Sequence, residues 1–422
     1  MKKISLIGIG YVGLPLAKAL QKYYKVVGFD KSIKRIKDLN NGKDINNQFT
    51  KKDLKVCKNL TFTGDQNKLY NTDIFIVTVP TPILKNKKPD LSHLKKACEM
   101  IGRIIKKNNL IIFESTVYPG CTENFCAKII EKISGKIFNK DFFLGYSPER
   151  INIGDNKHSL ENIKKIVSGS NIKTLNIVSG IYSKIIKAGI YKCKNIMTAE
   201  AAKAIENAQR DINIAFINEI SVIFQKLNIN TYDVLNAAKT KWNFLDFKPG
   251  LVGGHCIGVD PYYLTHIAKK VGVTPKVIGS GRKTNDGMSK FFSKIILNQI
   301  SSNFKKIKKK RILVLGLSFK ENVNDLRNSK SIDLCNHLSS SNCIVEAIDP
   351  LIKEKLIYKR FKLNKIISKK NKYHALVLAV PHTIILNSIG NYKKHLYKNS
   401  IIFDIKNCLS VSKYKNFKIL KL

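Results

Sequence analysis

The chain has 422 residues, 44% of them hydrophobic, and a formal net charge of +45. That length exceeds what one hydrophobic core usually organises, so two or three domains are expected, and the apolar fraction excludes a disordered chain. Only eight of the 75 basic residues are arginine. A nucleic-acid groove more often concentrates arginine for bidentate contacts, so the scattered lysines read as solvated surface and no nucleic-acid partner is expected.

In chain order, the apolar segment at 4–9 ends in glycine and is far shorter than the core of a secretory leader, and residues 4–7 within it read as a first strand. Further strands are expected at 26–29, 74–79, 110–113 and 142–144. They alternate with amphipathic helical stretches, the rhythm of a parallel sheet. The apolar run 74–84 is about half of the ~20 residues a membrane span requires and carries two prolines, so no membrane partner is expected. Residues 200–227 keep helical periodicity without Gly or Pro and predict one long helix. A helix of that length with apolar faces more often bridges domains or subunits, so a homodimer is expected. A loop rich in Gly and Pro follows at 248–263, then a helix to about residue 303. The basic run 305–311 reads as a boundary, beyond which strands are expected at 312–315, 344–348, 375–379 and 401–404. The expected fold is α/β. Two Rossmann-like parallel-sheet domains, 1–196 and 305–422, are joined by a long central helix and a helical middle domain, 197–304.

Nine cysteines occur, with no C-x-x-C pair and no cluster with histidine. This pattern predicts neither a metal site nor a disulfide framework and suits a reducing cytoplasm.

Gly8, Gly10 and Gly13, with Tyr11 and Val12 between them, follow the first strand and open a helix. The first glycine permits the tight turn, the second lets a pyrophosphate approach the backbone, and the third lets helix and strand pack closely. Phosphate would then face the helix N-terminus. Asp30 closes the second strand, where a carboxylate binds ribose hydroxyls and repels a 2′-phosphate, which predicts NAD over NADP. The second constellation surrounds Cys256, between Gly253-Gly254-His255 and Ile257-Gly258-Val259-Asp260. Flanking glycines free the backbone to approach a ligand, so a reactive thiolate is expected there; His255 is read as structural. Taking an alcohol to an acid passes through an aldehyde. A cysteine that traps it as a thiohemiacetal allows a second hydride transfer to a thioester, which water hydrolyses. Such chemistry needs a donor near the oxyanion and a group to manage water. Lys203 and Asn207, i and i+4 on the long helix, and Glu149 with Arg150, after a strand end, are the candidates.

Over essentially its whole length the chain resembles the family of UDP-glucose, UDP-N-acetylhexosamine and GDP-mannose dehydrogenases. The blocks that carry the resemblance, besides Gly8 to Gly13 with Asp30, are Val79-Pro80-Thr81-Pro82, Glu114-Ser115-Thr116-Val117 and Ser147-Pro148-Glu149-Arg150. Residues 199–207 and 253–261 follow, then Gly316-Leu317-Ser318-Phe319-Lys320 with Asp325-Leu326-Arg327. The resemblance implies Cys256 as nucleophile and Lys203 with Asn207 as oxyanion stabilisers. It implies that Thr116, Glu149 and Asp260 position water and relay protons. It also implies Arg35, Pro80, Thr81, Thr116 and Arg327 on the cofactor side. On the substrate side it implies Glu149, Arg150, Gly253 and Lys320, with Phe247, Lys248 and Gly250 in a loop that closes over the sugar. Thr240 to Phe244, and Asp260-Pro261-Tyr262-Tyr263-Leu264, look most like the UDP-N-acetylglucosamine or UDP-N-acetylgalactosamine 6-dehydrogenases of bacterial surface-polysaccharide pathways. UDP-glucose and GDP-mannose are the alternative substrates. A single-step dehydrogenase of the 6-phosphogluconate type would need neither the cysteine nor a second α/β half. One departure is Lys406, where many members carry an arginine.

Overall fold

The protein is described by a computed structural model over residues 2–151, 159–353, 357, 372–410 and 417–421. The chain divides into two compact units, Met1–Glu206 with Tyr262–Thr274, and Asn207–Pro261 with Pro275–Leu422.

Strands buried on both faces need unbroken apolar runs. The first unit contains β1 (Lys3–Ile7), β2 (Lys25–Phe29), β3 (Leu60–Thr63), β4 (Ile74–Val77), β5 (Asn109–Phe113), β6 (Phe142–Tyr146), β7 (Lys165–Gly169) and β8 (Ile190–Lys192). They form one sheet in the order β3-β2-β1-β4-β5-β6-β7-β8. Every residue of β4 and β5 is buried. The strand expected at 74–79 ends at Val77, because the next residue, Thr78, donates its hydroxyl to Gly8 O at 2.6 Å and ties the turn instead of extending the ladder. The sheet is parallel except between β6 and β7, which pair antiparallel. Antiparallel neighbours need no crossover helix, whereas a parallel return does.

The second unit holds β9 (Lys310–Leu315), β10 (Cys343–Ile348), β11 (Tyr373–Leu378), β12 (Leu396–Asp404) and β13 (Lys418–Leu420) in an all-parallel sheet ordered β10-β9-β11-β12-β13. Successive side chains of a strand face opposite ways. Ile312 and Val314 of β9, with Ala375 and Val377 of β11, therefore share a core with Phe292, Ile296 and Ile300 of the helix Lys276–Asn303. Leu313, Leu315, Leu376 and Leu378 pack on the other face with Ile385 and Ile389.

The long helix spans Ile196–Leu227, beginning four residues earlier than the periodicity indicates. Its buried polar residues Lys203, Asn207, Asp211 and Asn218 recur at i, i+4, i+8 and i+15 and so lie along one stripe, while Ile205, Phe216, Ile223 and Leu227 are exposed. Among the described lysines only Lys165 and Lys203 are buried, so the basic excess is surface charge. Among the described residues no helix is long and apolar enough to cross a membrane.

Candidate functional site

In the first unit the glycine turn sits at the carboxyl end of β1, the edge where open α/β sheets bind ligands. Gly8 has φ +99°, a conformation that favours glycine. A Cβ on Gly13 would lie 2.0 Å from Gly8 O and 2.7 Å from Thr78 Oγ1, so this position is sealed by packing. Nothing lies within 4 Å of a Cβ built on Gly10. Space is thus kept at the glycine expected to face a pyrophosphate, and the helix Gly13–Leu20 begins with no side-chain cap on its N–H groups. Asp30 accepts from Ile9 N at 3.0 Å and from Ser32 N at 2.9 Å and remains half-exposed beside the turn. These features fit a dinucleotide. Arg35 lies behind the turn, donating to Ile9 O at 3.0 Å and to Asp44 at 2.7 Å, and is buried.

The turns after β4 and β5 are tied together. Thr81 donates its hydroxyl to Thr116 O at 2.7 Å, and Ser115 donates to Val79 O at 2.6 Å. Tyr263, fully buried, donates to Thr81 O at 2.9 Å, which fixes the Pro80-Thr81 turn. Beyond β6, Glu149 Oε1 accepts the N–H groups of Arg150 and Ile151, each at 2.6 Å. Its Oε2 is buried, has no hydrogen-bond partner among the described residues, and stands 3.7 Å from Lys165 Nζ. Lys165 itself donates to Glu114 at 2.9 Å and to Pro148 O at 3.1 Å, and Tyr182 donates to Glu114. Burial alone would lower the Lys165 pKa, but Glu114 and Glu149 outweigh it and hold it above the ordinary lysine value. Sequence reasoning passed over Lys165. Its only signal is a lysine at the head of a short strand, just before Ile166 and Val167. Arg150 is engaged by Lys164 O at 2.7 Å and by Glu206 at 2.8 Å.

In the second unit, Cys256 is half-buried and is not in a disulfide. Its carbonyl accepts from Val259 N at 3.0 Å and Asp260 N at 2.8 Å, a turn that leads into the helix Asp260–Lys270. Asn207 donates its amide to the buried carboxylate of Asp260. A Cβ on Gly254 would lie 2.6 Å from the ring of Phe319, and one on Gly253 would lie 2.5 Å from Asn328 O, so both glycines are required by close approach. His255 meets Phe319 edge-on at 5.6 Å, a packing role. Phe247 is half-buried and Lys248 exposed, while Gly250 is buried against Lys406, whose Cε would lie 3.3 Å from a Cβ there. Lys320 is half-buried in the turn after β9, and Arg327 is exposed and forks onto Asp325. Among the described residues no group of three or more His, Cys, Asp or Glu could hold a metal.

Three family models match consecutive parts of the chain. They are the NAD binding domain of the UDP-glucose/GDP-mannose dehydrogenase family at residues 2–186, its central domain at 197–287 and its UDP binding domain at 313–411. An NAD binding domain and a UDP binding domain in one chain define an enzyme that oxidises a nucleotide-linked substrate. The chain belongs to the UDP-glucose/GDP-mannose dehydrogenase family. It is 46% identical over 381 residues to UDP-N-acetyl-D-glucosamine 6-dehydrogenase of Salmonella typhi, covering 90% of each chain. It is 44% identical over 413 residues to the Pseudomonas aeruginosa protein of that name, covering 97% of this chain and 98% of the other. A solved UDP-D-ManNAc dehydrogenase from Pyrococcus horikoshii superposes with a TM-score of 0.87 at 29% identity, covering 99% of this chain and 98% of that one.

Proposed function

We propose that the protein is a UDP-N-acetylhexosamine 6-dehydrogenase, with UDP-N-acetylglucosamine as substrate, that carries the C6 alcohol to the carboxylate. The relatives at 44–46% identity support the sugar, and the glycine-framed loop around the half-buried thiol of Cys256 is the observation that carries the chemistry. In this reading residues 1–196 hold NAD, 197–304 supply the cysteine loop and a dimer contact through the long helix, and 305–422 hold the UDP-sugar. A homodimer would cover the exposed Ile205, Phe216, Ile223 and Leu227. The chemistry requires Cys256 reduced, which fits the cytoplasm.

NAD, when bound at Gly8 to Gly13 and Asp30, supplies the hydride acceptor for both oxidations. The chain does the rest. Cys256 adds as thiolate to the aldehyde carbon to give a thiohemiacetal, is released from the thioester by water, and so divides a difficult oxidation into accessible steps. Lys203 and Asn207, one helical turn apart and both buried, donate to the oxygen that gains charge. Asp260 is held as a partner of Asn207, and Glu149 offers the acceptor Oε2; with Thr116 they orient water and take its proton. Lys320 binds the nucleotide sugar and Arg327 the cofactor side.

Cys256→Ser tests the covalent step. Serine forms the alkoxide far less readily and its ester hydrolyses more slowly, so turnover should fall by several orders of magnitude and intact-mass spectrometry should detect a sugar ester. Wild-type-like turnover would return Cys256 to a packing role. A higher kcat/KM with UDP-glucose or GDP-mannose in direct competition would refute the substrate and leave the family chemistry standing.

A further inference from the structure

The loop 250–260, which carries Cys256, is tied at both ends to the long helix. At its far end Asp260 receives the amide of Asn207. At its near end Gly250 is held by Asn218: Gly250 N donates to Asn218 Oδ1 at 2.8 Å, and Asn218 Nδ2 donates to Gly250 O at 3.1 Å. Asn207 and Asn218 are eleven residues apart, close to three turns at 3.6 residues per turn, so both project from one face of the helix.

Asn218 is fully buried and its orientation is fixed from behind. Its Nδ2 also donates to Asn285 Oδ1 at 2.8 Å. Asn285 in turn donates to Asp211 O at 2.9 Å and to Asp211 Oδ1 at 2.7 Å, and Arg282 pairs with that same carboxylate. Each amide donates twice and accepts once, so the Asn218 amide cannot flip without leaving Gly250 N–H and a carbonyl unmatched in the interior. Between the two ends a second asparagine repeats the device. Gly254 N donates to Asn328 O at 3.2 Å, and Asn328 Nδ2 donates to Gly254 O at 3.3 Å.

We infer that Asn218 and Asn328 are positioning residues for Cys256, holding the main chain of Gly250 and Gly254 so that the thiol is presented from a loop fixed at its start, middle and end. The grip on Gly254 comes from the segment that also carries Lys320 and Arg327, so the nucleophile loop is registered against the residues proposed to bind nucleotides. The inference rests on the reading of Cys256 as nucleophile.

Asn328→Gly and Asn218→Asp test it. Asn328 has φ +50°, which glycine adopts freely, so Asn328→Gly keeps the carbonyl acceptor and removes only the amide donor. Asn218→Asp keeps the acceptor for Gly250 N–H and loses the donor to Gly250 O and Asn285. Thermal melting is read first. Then kcat, KM for NAD, and the rate of iodoacetamide labelling at Cys256 are measured, with exposed Cys408 in the same peptide map as internal reference. For Asn328→Gly the expected result is a melt within a few degrees of wild type and kcat lower by about tenfold with KM for NAD unchanged. Cys256 labelling should change by about threefold or more relative to Cys408. Asn218→Asp, if it folds, should show the larger loss of kcat. A fall in kcat that only tracks a lowered melt, with Cys256 labelling unchanged against Cys408, would assign both residues to stability alone and overturn the proposal. Unchanged kcat and labelling in Asn328→Gly beside an inactive Cys256→Ser would overturn the anchoring and spare the catalytic reading. An active Cys256→Ser would overturn that reading, while the labelling rates still report on the loop.

Discussion

The two sheets repeat one turn with opposite outcomes. At the end of β1, Gly8 at φ +99° donates its N–H to Phe29 O at 2.8 Å, and Ile9 N donates to Asp30 Oδ2 at 3.0 Å. At the end of β9, Gly316 at φ +85° donates to Ile348 O at 2.8 Å, and Leu317 N donates to Asp349 Oδ2 at 2.8 Å. Even the next contact matches: Ser32 N on Asp30 Oδ1 at 2.9 Å, Leu351 N on Asp349 Oδ1 at 3.0 Å. The difference lies in what stands before the carboxylate. In the first sheet Gly10 leaves open space and Asp30 stays half-exposed. In the second, Ser318 replaces that opening and gives Asp349 both its N–H and its hydroxyl, each at 2.8 Å. His382 then closes the site. Asn322 N donates to its Nδ1 at 2.8 Å, so the ring hydrogen sits on Nε2 and points at Asp349 Oδ2, 3.1 Å away. A backbone turn does not decide its ligand; the side chains that fill or leave its mouth do. Asp30 keeps exposed surface, as the proposed ribose contact requires, whereas Asp349 is consumed in holding the turn that carries Lys320.

Substitutions at these two aspartates should therefore diverge. Asp349→Ala strands four buried donors, the N–H groups of Leu317 and Ser318, the Ser318 hydroxyl and His382 Nε2, and should lower unfolding free energy by about 3–5 kcal/mol. Chemical denaturation showing a loss under 1 kcal/mol would break the contrast. Acid should reveal the same bond. Burial alone would raise the Asp349 pKa, but His382, Leu317 N–H and the Ser318 hydroxyl outweigh it and bring it to about 2, below the ordinary 3.8. A lowered acid stabilises the fold above its unfolded pKa and loses that contribution as pH falls through its folded one. The stability advantage of wild type over Asp349→Asn should thus include about 2 kcal/mol that is present above pH 4 and fades as pH approaches 2. A constant difference across that window would contradict the assignment. Asp30→Ala should leave stability nearly intact and instead erode the preference for NAD over NADP, by about tenfold or ~1.4 kcal/mol in kcat/KM. Ser318→Ala, which removes one hydroxyl donor of several, should cost about 1 kcal/mol of stability and little activity in the same assays.

Much of this was legible in the sequence because it is written locally. The strands buried on both faces, β4 and β5, read as apolar runs, and the glycine turn with Asp30 and the loop around Cys256 carry their chemistry in adjacent letters. Strand β3, Leu-Thr-Phe-Thr, has three of its four residues partly or fully exposed, and β8 has three residues with none buried, so neither gives an apolar run to detect. The residues that hold the site leave still less trace. Asn218 grips a glycine 32 residues away, His382 a carboxylate 33 away, and Lys165 a carboxylate 51 away. Each bonds a partner fixed by topology, and no spacing rule connects the pair. Asp349, one residue beyond an expected strand, was visible as a position; that its carboxylate is blocked follows only from His382 arriving from the turn after β11.

The most direct test of the account is the balance between nicotinamide reduced and sugar oxidised. Purified protein with NAD and UDP-N-acetylglucosamine should form two reduced cofactors for each nucleotide sugar consumed, with the uronate as the only accumulating product by mass spectrometry. One reduced cofactor for each sugar, with free aldehyde as the end product, would contradict the covalent four-electron oxidation through Cys256.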